Sequence, residues 1–449
     1  MTADTPSTTG SKAPRPDGTP RAETARAETA RLAVWAMVAL VVALFRNRLW
    51  ATPNLAIFSE LSKHLGSNPF EGSGIGGDYL LTNVLGQAIA RLLGSTDPHL
   101  YLRVHLGLFL VATALVVALT HRRFGYLSAR TLVVALAAAP GTTVVMQWLG
   151  QPDALTFPLA MSIVIARSWP ARVALGVLLG LSHSGQGFAA ALIAVVVSLA
   201  IDLLGDDPAA EGPGTIDPAA AKLASRVPLT WITRPRLAAA TAPLLGVAAG
   251  RMIVEGYLRL NDITISTSRT SFLSIGVQGF AEHHRLSPGW LIYSLWGPLW
   301  VAVAALALWC SRSPRATGAP RHAAVLLGIG AFASLAPMLI TLDQTRVYSM
   351  VSAPVLAGAA ILVGIRVIPS GGTVPSTRST SPANGSAWIS AAALVVALLV
   401  PGMFNAGEAY FATDLPVGPF VDFLVHGTVP DDDLTGFLLA PFPFEIPGG

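Results

Sequence analysis

The sequence predicts an all-α, polytopic transmembrane helix bundle, and three observations predict it. Hydrophobic residues fill 52% of the 449 positions and charged residues only 12%, against roughly 25% charged in soluble domains. The mean hydropathy is +0.58. Runs such as Leu132–Leu149 and Leu237–Val254 carry almost no ionisable groups. A water-soluble enzyme, a disordered chain and a nucleic-acid binder are excluded on this arithmetic. The formal charge of +4 is small and its basic residues are scattered, so nucleic acid is not an expected partner. One cysteine, Cys310, leaves no internal disulfide and no Cys-based metal site.

Residues 1–31 are rich in Pro, Thr and Ala and hold a tandem RAETA repeat at Arg21–Ala30. Such a segment cannot bury a core and reads as a disordered leader. Behind it, a bilayer core of ~30 Å and roughly 20 residues per helix give about eleven apolar segments. They lie near 32–46, 100–120, 131–150, 153–167, 171–182, 187–204, 237–254, 289–310, 323–341, 347–366 and 388–403. Several are too short to cross alone. The pair 171–182 and 187–204 is interrupted by Ser182–Gly187, and polar backbone at that depth needs protein or a water-filled cavity around it. The spanning domain thus covers 32–403, and 404–449 form a short tail.

Arginine placement sets the expected orientation. With the N-terminus cytoplasmic, Arg122, Arg123 and Arg130, then Arg167 and Arg172, then Lys222 to Arg236, Arg312 to Arg321, and Arg366 with Arg378 all fall inside. The C-terminal tail then lies outside a plasma membrane. Two outer loops are large. The first, 47–99, contains Leu80–Leu93, whose apolar residues recur at helical spacing and suit an interfacial helix. The second is 255–288. Outer ionisable residues abut apolar segments, and an ionisable group at a membrane span is a functional candidate by default.

Four stretches resemble the GT-C superfamily of polyprenol-dependent glycosyltransferases. The first combines "FSELSKHLGSNPF", "DYLLTNVLGQAIARLLG" and "LYLRVHLGLFL", similar to the family's first outer loop leading to an Arg, here Arg103. The second is "APGTTVVMQWLGQPDALTFPLAMSIVIA", with an acid at a hairpin, here Asp153. The third is "GLSHSGQGF", where the family has a turn facing the lipid phosphate. The fourth is "DQTRVYSMVSAPVLAGAAIL", with Arg346 at the outer start of a Pro-containing span. Where the family places an acid just after the first span, this chain has Thr52, Pro53 and Asn54.

The resemblance implies transfer of a sugar from a polyprenyl-phosphate donor to a cell-envelope glycan or lipid acceptor, with membrane lipid as the surrounding partner. It makes Asp78, Asp153 and Glu60 the candidate acids for deprotonating the acceptor. Each has a plainer reading: Asp78 and Asp153 as helix N-caps, Glu60 as a solvated partner of Lys63 and His64. Arg346, His183, Arg103 and Gln186 are the phosphate-binding candidates, Arg for its planar fork matched to phosphate oxygens. Asp343, one helical turn before Arg346, and Arg269 are supporting candidates. Arg251 and Glu255, four apart, read as a structural pair. His283 and His284 diverge as neighbours and lack a third ligand, so no metal and no other cofactor is expected. The competing readings are a lipid-linked saccharide carrier or flippase, and a non-catalytic protein of cell-envelope assembly.

Overall fold

The computed structural model describes residues 20–47, 49–51, 54–71, 77–205, 233–263, 279, 282, 288–313, 318–341, 343–367, 382–406, 409–412 and 439–441. Arg269, His283, His284, the first 19 residues, most of the tail and the side chain of Asp78 lie outside the described residues. The helices are α1 (Pro20–Asn47), α2 (Asn54–Lys63), α3 (Val84–Leu92), α4 (Pro98–Ala138), α5 (Pro140–Gln147), α6 (Asp153–Ile165) and α7 (Trp169–Gly205). There follow α8 (Arg234–Leu260), α9 (Pro288–Trp296), α10 (Trp300–Arg312), α11 (Ala319–Ala333), α12 (Leu335–Met338), α13 (Gln344–Leu362) and α14 (Pro382–Leu399). Small strand ladders accompany them: β1 (Leu49–Ala51), β2 (Met403–Ala406) antiparallel to β3 (Ala409–Ala412), and β4 (Leu439–Pro441) parallel to β1.

Seven helices are long and apolar enough to cross a membrane, and Asp153–Ile165 and Ser386–Leu399 are shorter apolar helices. The outside of the bundle is itself apolar: Val34, Leu245, Met252, Val301, Phe332 and Trp388 are each more than 60% exposed. A continuous coat of such side chains suits hydrocarbon and not water.

Two of the long helices double back. In α7, His183 leaves helical geometry (φ −156°, ψ 97°), and beyond it Gly187 packs so near Leu179 that an added Cβ would sit 3.1 Å from the Leu179 carbonyl oxygen. In a straight helix those residues would be about 12 Å apart. In α4 the break is Gly125 (φ 85°, ψ 175°), a backbone conformation open to glycine. Tyr101 of the first arm and Gly150 beyond the second share Asn83 as a partner, so the chain has returned to its starting end. The interruption expected at Ser182–Gly187 is therefore a reversal between two antiparallel arms. The about eleven segments of the sequence and the seven long helices differ by these two reversals and the two shorter helices.

The centre is occupied by α6, every residue of which is buried, and by α13, nearly as buried. With 13 residues, α6 is about 20 Å long, short for a bilayer, and protein encloses it on all sides. Against the first arm of α7 lies α8, joined through two small-residue pairs. Gly176 meets Gly246 and Gly180 meets Gly250, with built Cβ atoms falling 2.2–2.6 Å from carbonyl oxygens of the facing helix. This GxxxG-on-GxxxG contact lets two backbones approach closely where no hydrophobic force separates helix from lipid.

Arginines satisfy carbonyls that helix ends leave open. Arg123 donates to the Ile165 carbonyl at 2.5 Å, Arg172 to Ala166 at 3.0 Å and Arg366 to Leu204 at 3.2 Å. Buried Arg46 does the same at the other end. There Pro140 interrupts the second α4 arm, and Arg46 reaches the Ala138 and Val400 carbonyls at 3.1 Å each.

Gly246→Leu should destabilise the fold by about 1–3 kcal/mol or more, the usual cost of overpacking, because its side chain would enter the α7 backbone. Gly256→Ala, where an added Cβ meets nothing within 4 Å, should leave stability unchanged or raise it. Thermal unfolding of the two variants in detergent checks the contrast.

Candidate functional site

Three helical segments begin at one end of the bundle: α6 at Asp153, α13 at Gln344, and the second arm of α7 after His183. Each turns the positive end of its dipole toward that end of the bundle. That field favours a carboxylate in the first turn, and Asp153 is one.

Arg346, in the first turn of α13, meets Asp153 across 193 residues of sequence. Nε and Nη2 both donate to Asp153 Oδ2, at 2.9 and 2.8 Å, while Nη1 reaches Asp343 Oδ2 at 3.3 Å. The Trp148 ring lies 5.4 Å from the guanidinium carbon, a cation–π contact, and Tyr79 also bears on the Arg346 charge. Asp153 is wholly buried, and its second oxygen, Oδ1, has no hydrogen-bond partner. The chain leading to it, Gln147-Trp148-Leu149-Gly150-Gln151-Pro152, adds further open groups. Both amide atoms of Gln147 and the amide nitrogen of Gln151 are buried without a partner. Each such group costs about 1–3 kcal/mol, so an apolar protein keeps them for a reason.

The α7 reversal abuts this turn. Ser182 Oγ donates to the Pro152 carbonyl at 3.1 Å and meets Thr156 Oγ1 at 3.0 Å. His183 Nδ1 accepts the Gln186 N–H at 3.2 Å, capping the second arm. An accepting Nδ1 places the proton of the neutral ring on Nε2. Gln186 Oε1 is buried and without a partner.

Asn83 fastens the first outer loop to all of this. It sits in the left-handed region (φ 57°, ψ 23°), which Asn tolerates better than most residues. Its N–H donates to Ser182 O at 2.6 Å, and Thr82 forms a bridge with His183. Its side-chain nitrogen lies within 3.0 Å of the Gly150 carbonyl, Tyr101 Oη and His105 Nε2. The one-turn helix Gly77–Leu81 immediately precedes this Thr82–Asn83 anchor.

The structure thus brings together Asp153, Arg346, Asp343, His183 and Gln186, with the backbone of Asp78 one residue from Tyr79. It does not bring in Glu60 or Arg103. Glu60 is exposed on α2, paired with Lys63 at 2.7 Å and His64 at 3.1 Å, and the Lys63 hydrogen bond holds its carboxyl below the usual range. Arg103 is exposed on α4. Arg251 pairs with Glu255 at 2.5 Å and also reaches Ser184 at 3.1 Å. Among the described residues no group of three or more His, Cys, Asp or Glu could hold a metal. Sequence reasoning missed Asn83, Gln147, Trp148 and Gln151, although four polar or amphipathic residues in seven were a signal in "QWLGQPD".

No family model matches the chain, and no curated protein matches it. Two solved structures are similar to it. ArnT from Cupriavidus metallidurans bound to undecaprenyl phosphate shows 17% identity and a TM-score of 0.41, over 82% of this chain and 71% of that one. The same protein in the apo state gives 17% and 0.40, over 83% and 71%.

Breaking the buried pair from either side should be costly. Asp153→Asn or Arg346→Gln leaves an uncompensated group at the core and should destabilise by about 3–5 kcal/mol. Asp343→Asn should cost less than about 1 kcal/mol, because the Asp343 side chain is 43% exposed. Denaturant titration of purified variants in detergent measures both.

Proposed function

We propose that this chain is a GT-C-type membrane glycosyltransferase that moves a sugar from a polyprenyl-phosphate donor to a cell-envelope glycan or lipid acceptor at the outer face of the plasma membrane. The observation that carries the reading is a buried carboxylate, Asp153, held through one oxygen by Arg346 and without a hydrogen-bond partner at the other. In the reaction an acceptor hydroxyl attacks the anomeric carbon. The bond from that carbon to the phosphate oxygen breaks, and its electron pair leaves with the polyprenyl phosphate. The acceptor proton goes to a carboxylate, for which Asp153 is the first candidate and Asp78 the second.

The departing phosphate needs donors that are already oriented. Of the five guanidinium N–H groups, Arg346 uses three on Asp153 and Asp343, which leaves two. His183, whose Nδ1 caps the second α7 arm, is the next candidate beside them. A cavity of about 730 Å³ between α9, α10, α11 and α13 runs from Trp296 and Tyr348, at the depth of Arg346, to Cys310 and Arg321 near the opposite end. Its apolar walls suit an isoprenoid tail. The carrier reading is less favoured, because three arginines of the opposite end, Arg123, Arg172 and Arg366, donate to helix carbonyls.

Arg346→Lys keeps the charge and loses the forked geometry, so transfer from a polyprenyl-phosphate sugar in reconstituted membranes should fall with the protein still inserted. Arg346→Ala should fall further. Asp153→Asn should lose about 10²–10⁴-fold, the usual share of a general base. Wild-type turnover by Arg346→Lys overturns the phosphate role. The proposed orientation, N-terminus cytoplasmic and C-terminus outside, is checked by tag accessibility; a 205–236 loop reached from outside overturns it.

A further inference from the structure

We propose that the groove between α1 and the two arms of α4 binds an anionic phospholipid, with a chain along the groove and the phosphate at the end of the bundle away from Asp153. The inference goes beyond the transfer reading and does not depend on it.

The groove is a cavity of about 530 Å³. The first helix lines it from Thr29 to Ala43, the first α4 arm from Phe109 to His121, and the second arm from Val133 to Ala137, with Met146 of α5 near the site end. The α1 wall makes it about 20 Å long, enough for a chain that fills half of a bilayer core of ~30 Å. Ala33, Ala114 and Ala118 of its walls are exposed on the outside of the bundle, so a chain can enter sideways from the bilayer. The walls are aliphatic for most of their length, and water there would lack the several polar partners it needs. The Thr113 and Thr142 hydroxyls line the groove without a partner. A threonine hydroxyl in a helix can turn to the carbonyl one turn before it, so neither needs a ligand.

Charge selects the headgroup and its end. At the mouth away from the site His121 lines the groove, its Nδ1 buried and without a partner. Exposed Arg122 continues the row Leu110, Ala114, Ala118 by one more helical turn. Exposed Arg26 stands one turn before Thr29, and Arg130 one turn before Val133. Arg130 is buried, its Nε and Nη2 have no hydrogen-bond partner, and its guanidinium carbon lies 5.5 Å from the Tyr126 ring and 5.9 Å from that of Trp35. Among the described residues no carboxylate pairs with Arg122 or Arg130; Glu28 is the nearest acid along α1. A buried, unpaired guanidinium is costly, and a phosphate at this mouth offsets part of that cost. The other mouth differs. Arg46, one turn after Ala43, is committed to the Ala138 and Val400 carbonyls. Basic pockets between spanning helices hold anionic headgroups in this way. With the proposed orientation, the headgroup lies in the cytoplasmic leaflet.

The test is a thermal-shift titration of the full chain in detergent micelles doped with phosphatidylglycerol or with phosphatidylcholine of the same chains. Each variant is read against its own lipid-free Tm, and native mass spectrometry counts the lipid retained. Phosphatidylglycerol should raise the wild-type Tm saturably, and more than phosphatidylcholine does. Arg122→Gln should raise the half-saturating phosphatidylglycerol concentration about five-fold, the share of one cation beside an anionic headgroup. Ala118→Phe, which fills the groove, should abolish both the saturable shift and the retained lipid. Arg312→Gln, at the same end but off the groove, should change neither. Equal shifts by the two lipids overturn the site. So does an equal loss in Arg312→Gln and Arg122→Gln, the mark of basic loops attracting lipid in general, or a saturable shift that survives Ala118→Phe. A polyprenyl phosphate that displaces the retained phosphatidylglycerol mole for mole makes the groove a substrate site and overturns the assignment as well.

Discussion

A carboxylate wholly buried in an apolar bundle has to be matched, and the match between Asp153 and Arg346 constrains everything around it. Desolvating the two charges costs several kcal/mol each, recovered only with good geometry. The helices that carry them are accordingly deeply enclosed, α6 at every residue and α13 at nearly every one. Both run in the same direction and both begin at the site. A charge pair spanning 193 residues also ties the first half of the chain to the second. Either residue alone would be an unpaired ion in hydrocarbon.

Backbone satisfaction is the second constraint. Outside hydrocarbon a chain can turn wherever it likes, but at membrane depth each open N–H or C=O needs an internal partner. The break at His183 meets that demand in a specific way. Its ring caps the following arm, and the Ser182 carbonyl takes the Asn83 N–H. The partner for the broken helix is thus supplied by the 47–99 loop, and the loop is fixed in return. Asn83 is matched to this post by its tolerance of the left-handed region and by a side chain long enough to reach Gly150.

Much of this was legible in the sequence, and the limits have physical causes. Asp153, Arg346 and Asp343 stood out because an ionisable residue beside an apolar run is costly wherever it sits. The polar break at Ser182–Gly187 stood out for the same reason. That Asp153 and Arg346 touch each other was not legible, because spacing constrains only neighbours within a helical turn; the Arg251–Glu255 pair, four residues apart, is the case where spacing sufficed. Asn83 was invisible because its role depends on backbone conformation and on three partners from two other parts of the chain. Glu60 looked like a site acid in sequence, and in the fold it is partly exposed and paired with Lys63 and His64.

The two ends of the bundle use charge in opposite ways, and helix direction accounts for both. The segments α6, α13 and the second arm of α7 all start at the site and finish at the far end. There the carbonyls that end α6, the negative end of its dipole, are met by Arg123 and Arg172, and one ending the second α7 arm is met by Arg366. At the site the same three segments turn the positive ends of their dipoles, so their field is positive before any side chain is added. A carboxylate can be buried there, and the single guanidinium of Arg346 can be divided between Asp153 and Asp343 without leaving the end deficient in positive potential. Three arginines read from the sequence as marks of orientation are, in the fold, counterweights at the ends of two of these helices, α6 and the second arm of α7. The parallel arrangement in turn makes the opposite end receptive to an anion.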